Sequence, residues 1–267
     1  MVKSNIDILF AYYNRNSEYW KDGLHEALSI LSFEYPQTHI NLFHDVSKPD
    51  KHYDVVIAWG ALDSPADKWV RENYQDTPCI LCYGGSSEMQ EDYSFYDAVC
   101  YEVGSLGKQI KHQNAIHAFG VNTRIFRKMP KPTKTIDVLG VGALAYWKRW
   151  ERMTGLGGAV KLVIGEYQHN NEDESMEIIH RLATDGVGYI PMMQPCNLAE
   201  WYNASKLVYM PASVEGGGGR VILEARACGI PVEIEDDNPL NRYYLNCPVF
   251  SERYYADKLR EAIESVC

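Results

Sequence analysis

Residues 209–239 read YMPASVEGGGGRVILEARACGIPVEIEDDNP and hold the groups best suited to binding an anionic ligand. Four consecutive glycines, Gly216, Gly217, Gly218 and Gly219, lead into a stretch with helical character. Glycine admits positive φ and lets a ligand approach the backbone closely. A helix start adds free N–H groups and the positive end of a macrodipole. Together these features make a seat for a diphosphate. Arg220, at the helix start, can add charge-assisted hydrogen bonds. Glu224, one turn on, carries a carboxylate that can accept from two vicinal hydroxyls, as on a ribose. Glu215 precedes the glycines and can face a sugar. Arg220 and Glu224 also stand four apart on one helical face, where they can pair with each other for about 0.3–0.5 kcal/mol.

The elements that must position these groups alternate between short apolar runs and longer helical stretches. In the first half the predicted strands are 6–12, 39–43, 55–59, 79–82 and 98–101, with helices such as 19–33 and 65–73. The segment KMPKPTKT, 128–135, is a linker in composition. Beyond it the pattern restarts, with strands at 137–141, 160–164, 187–191, 207–210 and 232–234. Helices are predicted at 174–184, 198–204, 219–228 and 257–266. Two successive α/β units imply two Rossmann-like domains facing across a cleft, each with a parallel sheet. The expected domains are 1–130 and 131–267, with the last helix able to pack back on the first domain.

Bulk composition narrows the function classes. The chain has 267 residues and a net charge of −10, so it is not basic all over. Between 103 and 136, however, there is no acidic residue and seven Lys or Arg. That stretch is either a solvated helix and linker or a local contact for a polyanion such as DNA. No run approaches the ~20 apolar residues that span a bilayer, and no signal peptide is visible, so a cytoplasmic protein without membrane insertion is expected. Seven scattered cysteines suggest reduced thiols. Cys79 and Cys82 form a lone CxxC inside an apolar run and read as core. Asp236 and Asp237 read as a loop, and no metal site is expected.

The glycine-rich segment resembles the donor-binding signature of GT-B glycosyltransferases, in particular retaining glycosyltransferase family 4. The matching residues are Pro211, Glu215, Gly216, Gly219, Leu223, Glu224, Ala225, Ala227, Cys228, Gly229, Pro231 and Val232. The family separates its two glutamates by seven residues, whereas eight lie between Glu215 and Glu224. Residues 118–126, AFGVNTRIF, are similar to a second family run just before the linker. Residues 136–150, IDVLGVGALAYWKRW, resemble the family's phosphate-holding strand and loop, through Gly142, Leu144 and Lys148. The family's arginine position is Ala143 here, so one cation is missing unless Arg149 or Arg220 substitutes.

The resemblance implies a nucleotide-sugar donor, UDP-linked, as co-substrate and no metal or other cofactor. It implies Gly142, Lys148 and Arg149 at the diphosphate, Glu215 on the donor sugar, and Glu224 on the ribose. The base would lie near Tyr189, where a stacking role competes with a place in the core. A hexosyl or pentosyl group would pass to an acceptor hydroxyl with retention. The acceptor would meet the first domain at Tyr13, Asn14, Arg15, Gly84 and Gly85, with His117 as helper. Compact DNA-glycosylating enzymes also use this fold, so a hydroxylated DNA base is one candidate acceptor. Two alternatives keep the donor site: a nucleotide-sugar epimerase, and a nucleotide-sugar-binding protein without turnover.

Overall fold

The computed structural model describes residues 6–12, 23–42, 51–84, 92–104, 107, 109–130, 132–168, 171–213 and 219–267. The chain divides into two compact units, one made of residues 1–120 with 250–267 and the other of residues 121–249. The division therefore falls seven residues before the linker 128–135 and ten before the expected boundary between 130 and 131.

In the first unit β1 (Ile8–Tyr12), α1 (Gly23–Glu34), β2 (Thr38–Leu42), β3 (Val55–Trp59), α2 (Pro65–Asn73), β4 (Cys79–Tyr83), β5 (Ala98–Tyr101) and β6 (Ala115–His117) follow in order. The strands form one sheet in the order β2-β1-β3-β4-β5-β6, and every pairing is parallel. Both faces of such a sheet are covered, so its strands are continuously apolar rather than alternating. Val55, Val56, Ile57 and Ala58 are all buried, as are Cys79 to Tyr83. Cys79 and Cys82 lie three apart on β4, so they point to opposite faces and cannot grip one ion together. All seven cysteines are free thiols. α2 starts where Ser64 accepts from the Asp67 N–H and Pro65 supplies a preset φ.

The second unit runs β7 (Ile136–Ala143), β8 (Lys161–Glu166), α3 (Glu172–Thr184), β9 (Gly188–Pro191), α4 (Pro195–Ala204), β10 (Ser205–Met210), α5 (Gly219–Ala227), β11 (Val232–Ile234) and α6 (Pro239–Asn246). Two short 3-10 turns, Tyr146–Lys148 and Trp150–Gly155, connect β7 to β8. The sheet is again wholly parallel, in the order β11-β10-β7-β8-β9. One face packs Leu139, Val141 and Ile164 against Leu198, Tyr202, Ala225 and Cys228. The other packs Val138 and Val163 against Trp150, Met153, Ile178 and Leu182.

The chain then returns to the first unit as α7 (Glu252–Val266), capped where Ser251 accepts from the Tyr254 N–H. Its apolar face carries Tyr255, Ala256, Leu259, Ala262 and Ile263 into the same core as Leu24, Leu28 and Leu31 of α1. Arg253 and Arg260 both reach Glu34 at the end of α1, at 2.9 and 3.1 Å. Among the described residues no helix is long and apolar enough to cross a membrane.

Leu259 is 0% exposed in this core, and Phe33 of α1 is 90% exposed. Leu259→Ala is expected to destabilise the chain by about 2–5 kcal/mol in urea unfolding, through lost transfer energy plus a cavity. Phe33→Ala is expected to stay within about 0.5 kcal/mol of the unaltered chain.

Candidate functional site

The topology of the second unit marks where a ligand belongs. β7 and β10 are neighbours, but the chain leaves β7 toward β8 on one side and β10 toward β11 on the other. Loops beyond their carboxyl ends therefore diverge and open a crevice, the usual binding place in a parallel sheet. The loop after β7 carries Lys148 and Arg149, and the segment after β10 leads through Pro211, Ala212 and Ser213 toward α5. Glu215, Gly216, Gly217 and Gly218 lie outside the described residues.

Lys148 is 6% exposed, unusual for an ammonium group. Its Nζ lies 4.6 Å from the centroid of the Trp147 ring. Burial pulls its pKa from 10.5 down to about 7. Gly142 makes room for it. Its φ is +147°, and a Cβ there would stand 3.1 Å from Lys148 Cε. Trp150 closes the other side, its indole N–H donating to the Ala143 carbonyl at 2.9 Å.

Arg149 has a different fate. Its backbone is left-handed, with φ 53° and ψ 43°. The guanidinium donates to both carboxylate oxygens of Asp237 at 2.6 and 2.8 Å, and its Nε donates to the Pro211 carbonyl at 2.6 Å. The same ion pair holds the Asp237 carboxyl below its ordinary pKa. Arg149 thus ties together the loops after β7, β10 and β11. Asp236 pairs with Arg242 at 3.0 Å, so neither member of the acidic run stands apart from a cation.

The 211–213 segment is held at every carbonyl. Arg149 takes Pro211, and the Asn238 amide donates to Ala212 and Ser213, each at 2.9 Å. The Ser213 N–H donates back to the Trp147 carbonyl at 2.9 Å. Beyond the glycines, Gly219 is buried against α6. A Cβ there would fall 2.2 Å from Tyr244 Cε2, so glycine is demanded by packing at the helix start.

Glu224 lies on the second turn of α5 and is 5% exposed. The Tyr202 hydroxyl of α4 donates to its Oε2 at 2.9 Å. Burial first, then the Glu224 charge and this hydrogen bond, hold the Tyr202 phenol well above its ordinary pKa. Tyr202 is therefore a permanent donor that orients the carboxylate. Arg220 sits half-buried in the first turn of the same helix.

Tyr189 lies half-buried on β9, its ring edge packed on Gly165 of β8. Burial raises its phenol pKa. In the first unit, His117 ends β6 with Nδ1 3.1 Å from the Tyr254 hydroxyl and Nε2 3.1 Å from the Glu102 carbonyl. A carbonyl can only accept, so Nε2 carries a proton and Nδ1 accepts from Tyr254. Burial lowers the His117 pKa. Gly84 is exposed at the end of β4, beside Trp59. Tyr13, Asn14, Arg15 and Gly85 lie outside the described residues.

Of the basic stretch, Lys134 is spent on the Ser205 carbonyl at 2.7 Å, whereas Arg124, Arg127 and Lys128 are exposed. Lys108 and Lys131 lie outside the described residues. Sequence reasoning missed Tyr202 and Asn238. Asn238 was signalled by Asn-Pro, a helix-cap dipeptide; Tyr202 had no local signal, because its partner lies 22 residues on.

The sequence profile of the family described as glycosyl transferases group 1 matches residues 121–266. No curated protein matches the chain by sequence alone. Solved structures do share the fold. AviGT4, a glycosyltransferase involved in avilamycin A biosynthesis, superposes with a TM-score of 0.65 at 12% identity, over 98% of each chain. Alr3699/HepE of Anabaena, crystallised with UDP and glucose, gives 0.63 at 14% identity over 98% of this chain and 91% of that one. A sucrose-phosphate synthase of Thermosynechococcus elongatus gives 0.64 at 14% identity, over 98% and 91%. The two-unit α/β architecture is that of GT-B glycosyltransferases.

Burial of Lys148 sets a pH dependence. In the folded chain Lys148 loses its proton above about pH 7, whereas unfolded it keeps the proton to about 10.5. The unfolded state binds more protons in that window, so this group makes stability rise with pH across it. Below pH 7 the folded chain carries the whole burden of a buried charge. Lys148→Met is expected to be more stable than the unaltered chain at pH 6, with the gap narrowing steadily between about pH 7 and pH 10.5 in urea unfolding. A gap that stays constant with pH would contradict the burial.

Proposed function

We propose, from the premise that this chain belongs to the family of group 1 glycosyl transferases, that it moves a sugar from a UDP-sugar to an acceptor hydroxyl with retention of configuration. The observation that carries this reading is the Glu224 carboxylate on α5, the helix that follows β10, buried and aimed by the Tyr202 hydroxyl. A fixed, desolvated carboxylate is suited to the paired hydroxyls of a ribose.

In the proposed reaction the bond between the sugar C1 and the diphosphate oxygen breaks, and its electron pair leaves with the diphosphate. Positive charge builds on the sugar and negative charge on the leaving group. The Lys148 ammonium, the N–H groups at the start of α5 and Arg220 stabilise that negative charge electrostatically. Arg149 acts at one remove, by fixing the loops that carry these groups. Glu215 orients the sugar. The acceptor oxygen forms its bond to C1 on the face the leaving group departs from. Its proton passes to the departing phosphate, so no protein base is assigned. No metal is assigned either, since cationic side chains and the helix start meet the charge. The base of the nucleotide is placed beside Tyr189.

The exposed cations Arg124, Arg127 and Lys128 support duplex DNA with a hydroxylated base as the acceptor, the base being flipped out for reaction. A gel shift on duplex DNA tests this. Binding that weakens steeply between about 50 and 200 mM salt is expected, and no binding at low salt would exclude it.

The donor assignment is tested by calorimetry with UDP. Glu224→Ala is expected to weaken UDP at least about tenfold, since a hydrogen bond to a charged group is worth about 1.5–3 kcal/mol. Tyr202→Phe is expected to weaken it less, by about threefold to tenfold, through loss of orientation alone. Unchanged affinity in Glu224→Ala would remove the ribose role. Incubation with a UDP-sugar alone separates the reactions: slow hydrolysis is expected, and release of an epimer would identify an epimerase instead.

A further inference from the structure

Lys148 Nζ lies among three groups of unequal standing. Gly142, at the end of β7, has no Cβ, and one there would stand 3.1 Å from Lys148 Cε and 3.5 Å from Nζ. Trp150 stands against the same glycine, is 2% exposed, and has its indole N–H fixed on the Ala143 carbonyl. Trp147 has its ring centroid 4.6 Å from Nζ and is 37% exposed. The first two belong to the sheet and its core, so Trp147 is, of the three, the wall toward solvent.

The main chain places that wall at the crevice. The Trp147 carbonyl accepts from the Ser213 N–H at 2.9 Å and from the Ser213 hydroxyl at 3.2 Å. Residue 147 therefore bridges the loop after β7 and the segment after β10, the two that diverge at the switch point. Its neighbours are pinned. The Tyr146 N–H and hydroxyl donate to Glu174 and Glu177 of α3, and Arg149 is held by Asp237 and Pro211.

A cation over an aromatic face is attracted to it, which by itself would raise the lysine pKa. Burial instead brings the Lys148 pKa down to about 7, so exclusion of water outweighs the attraction. Ionisable groups on the surrounding elements are engaged with one another: Arg152 with Glu235 at 2.7 Å, Asp236 with Arg242, and Glu224 with Tyr202. Glu151 acts on Arg149, and Arg220 on Tyr202.

We propose that Trp147 is a positioning residue of the donor site, a side-chain cover that keeps water off Lys148 Nζ so that the group meets a nucleotide diphosphate unhydrated; this rests on the donor reading above. A lysine kept dry needs no dehydration when an anion arrives, and the new pair forms at low local dielectric, where attraction is strong. Truncating the ring lets water reach Nζ. It leaves Gly142, Trp150 and the Ser213 bonds in place, because those bonds go to the Trp147 carbonyl.

Two experiments test the cover, the first without nucleotide. Lys148→Met is compared with the Lys148 form by urea unfolding across pH, with Trp147 present and in the Trp147→Ala background. With Trp147 the gap between the two forms is expected to narrow between about pH 7 and pH 10.5. With Trp147→Ala it is expected to stay constant, because a hydrated Lys148 titrates alike folded and unfolded. Trp147→Phe keeps a ring and is expected to keep the narrowing. If Trp147→Ala does not fold, Trp147→Gln replaces it, with polar atoms in the ring's place. The second experiment is calorimetry with UDP at pH 8 in two buffers. Proton uptake of about one per nucleotide is expected in the unaltered chain and in Trp147→Phe, and less than about 0.3 in Trp147→Ala. Undiminished narrowing or undiminished proton uptake in Trp147→Ala would overturn the role of Trp147 and leave the donor site standing. Failure of the unaltered chain to bind UDP would overturn the donor reading and Trp147's place in it.

Discussion

Burying one ammonium group is the constraint around which the crevice of the second unit is arranged. Lys148 leaves water almost completely, and its pKa falls to about 7 for that reason alone. A buried charge is expensive, and a protein can lower the expense by shedding the proton or by bringing in an anion. The surroundings are consistent with the second course. Gly142 gives up a side chain to make space, the Trp147 face offers a π surface, and Trp150 walls off the sheet. The result is a buried lysine at the switch point of a parallel sheet; in the proposed function a diphosphate there restores its charge.

The neighbouring cation is used in the opposite way. Arg149 is fully engaged, with a two-pronged pair to Asp237 and a third bond to Pro211. A guanidinium suits this role because its planar fork matches a carboxylate and loses little freedom on binding. With Asn238 it fixes the entry to the glycine segment from two sides. Binding residues on loops need such bracing, because a misplacement of about 1 Å is enough to lose most of the rate. Tyr202 braces Glu224 in the same sense, from a neighbouring helix.

Much of this was legible in the sequence. The alternation of apolar runs and helical stretches gave both parallel sheets, because strands buried on two faces are unmistakably apolar. The elements that escaped were short or polar. β6 has only three residues, too few to display a period. α6 reads PLNRYYLN, short and polar, and it follows the Asp236–Asp237 run, which reads as a loop. α7 begins at Glu252, five residues before the amphipathic pattern becomes clear, because its cap is Ser251. The burial of Lys148 was hidden because two adjacent cations look like solvated surface. The latch on Arg149 was hidden because its partner lies 88 residues away. Local sequence carries period and capping, whereas pairings across the sheet appear only once the chain is folded.

The most direct test of the central claim is the number of protons taken up when UDP binds at pH 8, from calorimetry in two buffers of different ionisation enthalpy. A Lys148 ammonium restored by the diphosphate predicts uptake of about one proton per nucleotide, and none in Lys148→Met. Tight UDP binding without proton uptake in the unaltered chain would contradict it.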